Sequence, residues 1–240
     1  MNIALLGYGK MGKEIEKICL AHNHTISARI DNENDWTKYE NEFQQSDVAI
    51  EFSMPNTVIE NINKCFKHNI PIIVGTTGWY DQKEDIKTLC LNGGNTLVFG
   101  SNFSVGVNLF FHINQTVAKL LDNYPDYKVS MEEIHHTQKL DAPSGTAISL
   151  ADIIIKEINP LKDWQKGKSD SNETLGIVSK RIDPTPGTHT VVYSSDIDEI
   201  ELKHTAKSRA GFAKGAVFAA EWIKDKKGWF EFRDILFNKS

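Results

Sequence analysis

Five short apolar runs separated by segments of helical periodicity fill roughly the first hundred residues, and that alternation leaves few folds open. The runs are "NIALL" (2–6), "TISARI" (25–30), "DVAIEF" (47–52), "IPIIVG" (70–75) and "NTLVFG" (95–100). Between them, residues 10–22, 56–69 and 81–92 carry apolar side chains at helical spacing. The runs read as buried strands, and strand–helix alternation of this kind implies a parallel sheet with right-handed crossovers. Ligands in such sheets sit beyond the carboxyl ends of the strands.

After Gly100 the rhythm changes. A long helix is expected over 105–121, closed by "DNYPD", then a strand over 127–134, the loop "HHTQKLDAPSGTA" and a helix over 145–158. Residues 162–173 are polar and read as a loop. Three more strands follow at 174–182, 187–195 and 198–206, before a final helix at 210–225. The expected fold class is α/β: a Rossmann-type dinucleotide-binding domain over 1–104, completed by a C-terminal helix within 209–240. An α+β domain over 105–208, with a mostly open mixed sheet of four strands, serves substrate binding and oligomerisation.

The glycine pattern after the first strand names a ligand. Gly7-x-Gly9-x-x-Gly12 follows a strand and opens a helix. A tight turn needs Gly7, close pyrophosphate approach needs the bare backbone of Gly9, and Gly12 lets helix and strand pack. The whole turn, with Tyr8, Lys10 and Met11, is the candidate dinucleotide loop; the competing explanation is a glycine-rich turn of an unrelated α/β protein. Asp31 ends the second strand nineteen residues past Gly12, where a carboxylate accepts hydrogen bonds from adenosine ribose hydroxyls and repels a 2′-phosphate. NADH is therefore expected to serve at least as well as NADPH, although Arg29, two residues earlier, leaves phosphate tolerance open. At the other strand exits Phe52, then Gly75, Thr76 and Thr77, then Ser101, Asn102 and Phe103 complete the expected cofactor contacts. Each is a generic turn by itself; their common edge is the argument.

In "DAPSGTA", Pro143 stiffens the approach and Ser144 is a good N-cap. The amides of Ser144, Gly145 and Thr146 are then orphan donors at a helix start, suited to a carboxylate. Simple capping explains the same residues. Lys139 adds a compact cation able to bind an acid or give a proton, and His135 and His136 titrate in the physiological range. Neighbours on a strand point to opposite faces, so both histidines reach one pocket only if the chain turns there. A structural strand-end histidine is the plainer alternative. Glu133, His135 and His136 lack the spacing of helical zinc sites, so no metal is expected.

The run "EEIHHTQKLDAPSGTA", together with "GYGKMG", "GTTG", "NFSVGVN" and "HTAKSRAGFAKGAV", closely resembles the 4-hydroxy-tetrahydrodipicolinate (dihydrodipicolinate) reductase family over most of the chain. The resemblance implies NADH- or NADPH-dependent reduction of a cyclic imine dicarboxylate on the diaminopimelate route to lysine, by a homotetramer. It puts His135 on the family's acid/base position, Lys139 on its proton donor, and His136, Gly145 and Thr146 on substrate-binding positions. The chain departs from some members in a glycine loop one residue shorter and in Asn32, where an arginine suits a 2′-phosphate. The alternatives are another nicotinamide enzyme for a small acid and a non-catalytic NAD-binding protein.

Composition excludes further classes. A net charge of -5 without a basic face argues against nucleic acid. Three scattered cysteines (Cys19, Cys65, Cys90) fit a reducing, cytoplasmic compartment, and no apolar stretch approaches a bilayer span.

Overall fold

The computed structural model describes residues 1–237. It holds two compact units, one from Met1–Val105 with the segment beginning at Arg209, the other from Gly106–Ser208.

The first unit contains strands β1 (Asn2–Leu6), β2 (Thr25–Ile30), β3 (Val48–Glu51), β4 (Ile72–Val74) and β5 (Thr96–Phe99). Helices α1 (Lys10–Ala21), α2 (Glu33–Lys38), α3 (Glu40–Gln44), α4 (Val58–Lys67) and α5 (Lys83–Asn92) connect them. In the second unit, α6 (Val105–Leu121) precedes β6 (Lys128–His135), α7 (Gly145–Glu157), β7 (Asp163–Lys166), β8 (Thr174–Arg181), β9 (Gly187–Ser194) and β10 (Glu199–Ala206). The chain then returns through α8 (Ala210–Trp222), β11 (Gly228–Glu231) and α9 (Phe232–Phe237).

The sheet of the first unit runs β11-β5-β4-β3-β1-β2, parallel throughout. Its strands are apolar because both faces are covered. Ile3, Leu5, Ile50, Ile73 and Val98 pack with α1, α8 and α9; Ala4, Leu6, Ala49, Ile72 and Leu97 pack with α4 and α5. Burying each such Ile or Leu side chain contributes ~1.5–3 kcal/mol. Strand order reverses between β1 and β3, so their carboxyl ends form the crevice where doubly wound sheets bind ligands. Gly7 and Phe52 meet there: with Gly7 at φ +91, an added Cβ would lie 2.3 Å from the Phe52 carbonyl oxygen.

Two expectations for this unit are corrected. The tail was expected to add only a helix, yet β11 pairs with β5 and makes a sixth strand. Four residues beginning at a positive-φ glycine carry too little periodicity to announce a strand; the open edge of β5 supplies the partner. The helix itself ends at Trp222, and residues 238–240 of the expected segment lie outside the described residues.

The sheet of the second unit runs β10-β9-β6-β8-β7, antiparallel from β10 to β6 and parallel from β6 to β7. α6 and α7 cover one face, where Met131, Leu175, Ile177, Val191 and Tyr193 meet Phe110, Phe111, Leu150 and Ile154. The count is five strands rather than four, because residues 163–166 of the expected loop pair with β8. That strand is a mostly exposed, polar edge, "DWQK", held by backbone pairing, with Trp164 alone packed against the core. No described helix is long and apolar enough to cross a membrane.

Candidate active site

The first helix is open at its start. Gly9 is its N-cap, no side chain caps it, and nothing lies within 4 Å of where a Gly9 Cβ would stand. Gly12 is tight instead, its Cβ position 2.2 Å from the Gly7 carbonyl oxygen. An uncapped N-terminus behind a bare glycine is what a pyrophosphate requires. Asp31 is exposed beside it and accepts the Tyr8 N–H at 2.7 Å. Arg29 is not idle: its guanidinium pairs with Glu16, which also takes the Tyr8 hydroxyl. Burial would raise the Glu16 carboxyl, but Arg29 and Tyr8 outweigh it and hold it low.

The other strand exits are braced from below. Phe52 lies over Gly75, where a Cβ would come within 2.1 Å of its ring. The Ser53 N–H donates to Thr76 Oγ1 at 2.9 Å and to Glu51 Oε1 at 3.1 Å. Glu51 is fully buried, and burial pushes its carboxyl up despite hydrogen bonds from Ser53, Thr76 and Asn61. Lys10, Thr77 and Ser101 are exposed, Met11 is partly buried, and Asn102 Oδ1 accepts the Ser104 N–H at 2.8 Å. The Phe103 ring is buried in the core against Phe232, centroids 4.5 Å apart, so only its backbone remains available to a ligand. Its carbonyl lies so close to α8 that a Cβ at Gly215 would fall 1.7 Å away. A strand-exit position does not reveal that an aromatic points inward.

In the second unit, β6 ends at His135 and the chain turns, the Lys139 N–H reaching the His136 carbonyl at 3.1 Å. The turn is pinned by Thr137, whose N–H and hydroxyl donate to Asp183 at 3.1 and 2.5 Å. Lys139 Nζ donates to both Asp141 oxygens at 2.8 Å. The Asp141 carboxyl, which burial alone would raise, is held below its ordinary range by that lysine. His136 is partly buried, with Nδ1 unpartnered.

The expected anion cradle is narrower than the sequence suggests. Ser144 is buried: its N–H donates to Glu133 Oε1 at 3.1 Å, and its Oγ caps the Ala147 N–H and meets His189 Nε2 at 3.1 Å. The Ser144 amide is therefore spent inside the protein. Gly145 is exposed, with nothing within 4 Å of a Cβ, and Thr146 is half-buried beside it.

Three residues beneath this loop escaped the sequence reading. Glu133, weighed there only as a metal ligand, is fully buried, with Oε2 3.0 Å from His135 Nδ1 and 3.9 Å from His189 Nε2. Burial would raise its carboxyl, yet the neighbouring His135, Ser144, Ser179 and Arg181 together hold it well below the carboxylate range. Arg181 donates to Glu133 Oε1 at 3.2 Å and to the carbonyls of Lys139 and Asp141 at 3.2 and 2.5 Å. Its guanidinium thus ties the lysine loop to the buried acid. His189 is pushed down to about 3, first by burial and then by the neighbouring His135. Strand alternation already put Glu133 on the face of His135, a usable signal; Arg181 and His189 gave none.

Residues 1–103 match the family model "Dihydrodipicolinate reductase, N-terminus" and residues 106–236 match "Dihydrodipicolinate reductase, C-terminus". A 4-hydroxy-tetrahydrodipicolinate reductase of Christiangramia forsetii is 50% identical over 236 residues, 98% of each chain. One from Neisseria meningitidis serogroup B is 39% identical over 201 residues, 80% of this chain and 73% of its own. The dipicolinate-bound dihydrodipicolinate reductase of Paenisporosarcina sp. TG-14 shares the fold at 22% identity, TM-score 0.76, covering 98% of this chain and 99% of its own. On the matched halves and the full-length relative, the chain belongs to the dihydrodipicolinate reductase family.

Proposed function

We infer that the chain is a 4-hydroxy-tetrahydrodipicolinate reductase, converting substrate, NAD(P)H and a proton to tetrahydrodipicolinate, NAD(P)+ and water. One observation carries the reading. The His135–Thr146 turn joins a buried histidine, a loop lysine and an open helix start, in a chain half identical over its full length to a reductase of that name. The test mixes purified protein, reduced cofactor and the dicarboxylic imine, and follows nicotinamide absorbance. Oxidation with other small oxo-acids in place of the imine would favour the rival dehydrogenase reading. Cofactor binding with no turnover on either would favour the non-catalytic one.

The residues divide the work by unit. In the dinucleotide-binding unit, the Gly7–Gly12 turn receives the pyrophosphate on the amides that open α1. The exits carrying Phe52, Gly75–Thr77 and Ser101–Asn102 orient the rest of a bound dinucleotide, which supplies hydride. In the substrate unit, Gly145, Thr146 and His136 hold substrate carboxylates, and Lys139 or His135 gives the proton that must follow hydride addition.

Asp31 keeps one oxygen beyond its bond to Tyr8, enough for a ribose hydroxyl, and Arg29 is already paired with Glu16. NADH is therefore expected to be used at least as well as NADPH. Asp31→Ala is expected to raise KM for NADH more than for NADPH; equal effects on the two would remove the ribose role. The uncovered sheet face around Ser130, Glu132, Thr190 and Val192 suits self-association into the homotetramer that the family resemblance implies, a mass that light scattering measures. Three buried free cysteines are consistent with a cytoplasmic enzyme.

A further inference from the structure

Glu133 is fully buried in the substrate unit, and no step above uses it. Its surroundings follow from strand geometry. Met131, Glu133 and His135 share one face of β6, and register sets His189 of β9 opposite Glu133 and Arg181 of β8 opposite His135. Such a cluster is a weak stabiliser, because desolvating the charges costs about as much as their attraction returns. Apolar side chains of like volume would serve the core as well. Something other than stability calls for a carboxylate here.

We propose that Glu133 is a positioning residue for His135. Its Oε2 holds the imidazole proton on Nδ1 and leaves Nε2 to exchange a proton in the reaction, while its Oε1 anchors the Ser144 amide and Arg181. The inference rests on the reading of His135 as the acid/base group.

Four observations carry it. Oε2 lies 3.0 Å from His135 Nδ1, within ion-pair reach but short of hydrogen-bond geometry, and catalytic hydrogen bonds often align only once substrate is bound. The carboxyl stays ionised in spite of its burial. His189, the other imidazole near Oε2, is kept neutral by burial and has its Nε2 on Ser144 Oγ, so it does not compete for the proton. Finally, a Cβ at Gly187 would fall 2.9 Å from His135 Nε2, so only a bare backbone there leaves room for the ring in this orientation. A carboxylate fixing the tautomer of a catalytic imidazole is the part the aspartate plays in serine hydrolase triads.

The test is a double-mutant cycle of Glu133→Gln and His135→Ala, read as kcat and KM, with the 15N spectrum of histidine-labelled wild-type enzyme. The substituted amide keeps the shape but lacks the anion, so kcat is expected to fall ~10²-fold, the lower reach of general acid help, with KM little changed. In the His135→Ala background the same change should cost almost nothing further, because both variants remove one device. The spectrum should show His135 carrying its proton on Nδ1. Equal losses from Glu133→Gln in both backgrounds would overturn the positioning role while leaving His135 catalytic. Near-normal kcat for His135→Ala alone would instead remove the reading beneath it. A neutral His135 protonated on Nε2 in the wild-type spectrum would overturn the proposal without reference to how any variant folds.

Discussion

Replacing Lys139 by alanine is expected to lower kcat ~10²–10⁴-fold while the dissociation constant for reduced cofactor stays near wild type. Hydride addition drives electron density into a conjugated imine that already bears two carboxylates. A fixed cation or well-aimed donor at the developing charge is typically worth ~2.7–4 kcal/mol. Lys139 suits that role because the loop aims it: Asp141 holds Nζ at 2.8 Å, and Arg181 holds the Lys139 and Asp141 carbonyls. His135→Ala should lose turnover on the same scale, since its ring is buried with Nδ1 3.0 Å from the Glu133 carboxylate. Stopped-flow turnover beside cofactor fluorescence titration separates the two quantities. Near-normal kcat in both variants would end the proton-donor assignment; a loss confined to cofactor affinity would move these residues to the dinucleotide site.

Acid should destabilise the enzyme through the same cluster. His189 is neutral in the fold, its pKa lowered to about 3 from an ordinary 6.5, first by burial. On unfolding it takes up a proton at any pH between those values. Its contribution is therefore complete above about pH 6.5 and is lost as pH falls toward 3, at up to about 1.4 kcal/mol per pH unit. Glu133 is also depressed, so its contribution is present above 4.5, the ordinary value for a glutamate, and is lost below it. Urea unfolding at successive pH values, for wild type and His189→Gln, measures the difference. The wild-type free energy should fall more steeply than the variant's between pH 6.5 and 4.5. Parallel slopes would mean that His189 is not kept neutral by the fold.

Much of the architecture was legible along the chain. α6 begins at Val105 and ends at Leu121 and α7 begins at Gly145, where helical periodicity and the Ser144 cap place them. The parallel sheet was legible too, because a strand buried on both faces must be apolar throughout. β7 and β11 were not, since each borrows its order from a neighbour's open edge rather than from its own pattern. The site divides in the same way. Gly7, Gly9, Gly12, His135 and Lys139 sit in short runs whose spacing speaks for their chemistry. The side chains of Phe103 and Ser144 lie inside, which a turn in sequence does not tell.

What the sequence determined by itself is local: where helices start, which turns bare their amides, and which loop carries a lysine beside two histidines. Each follows from backbone sterics and capping within a few residues. Tertiary structure alone decided that Arg181, 48 positions along the chain from Glu133, and His189, further still, converge with that acid under the loop. Alternation chooses the face a strand residue takes, but only pairing between distant strands chooses the neighbour it meets there.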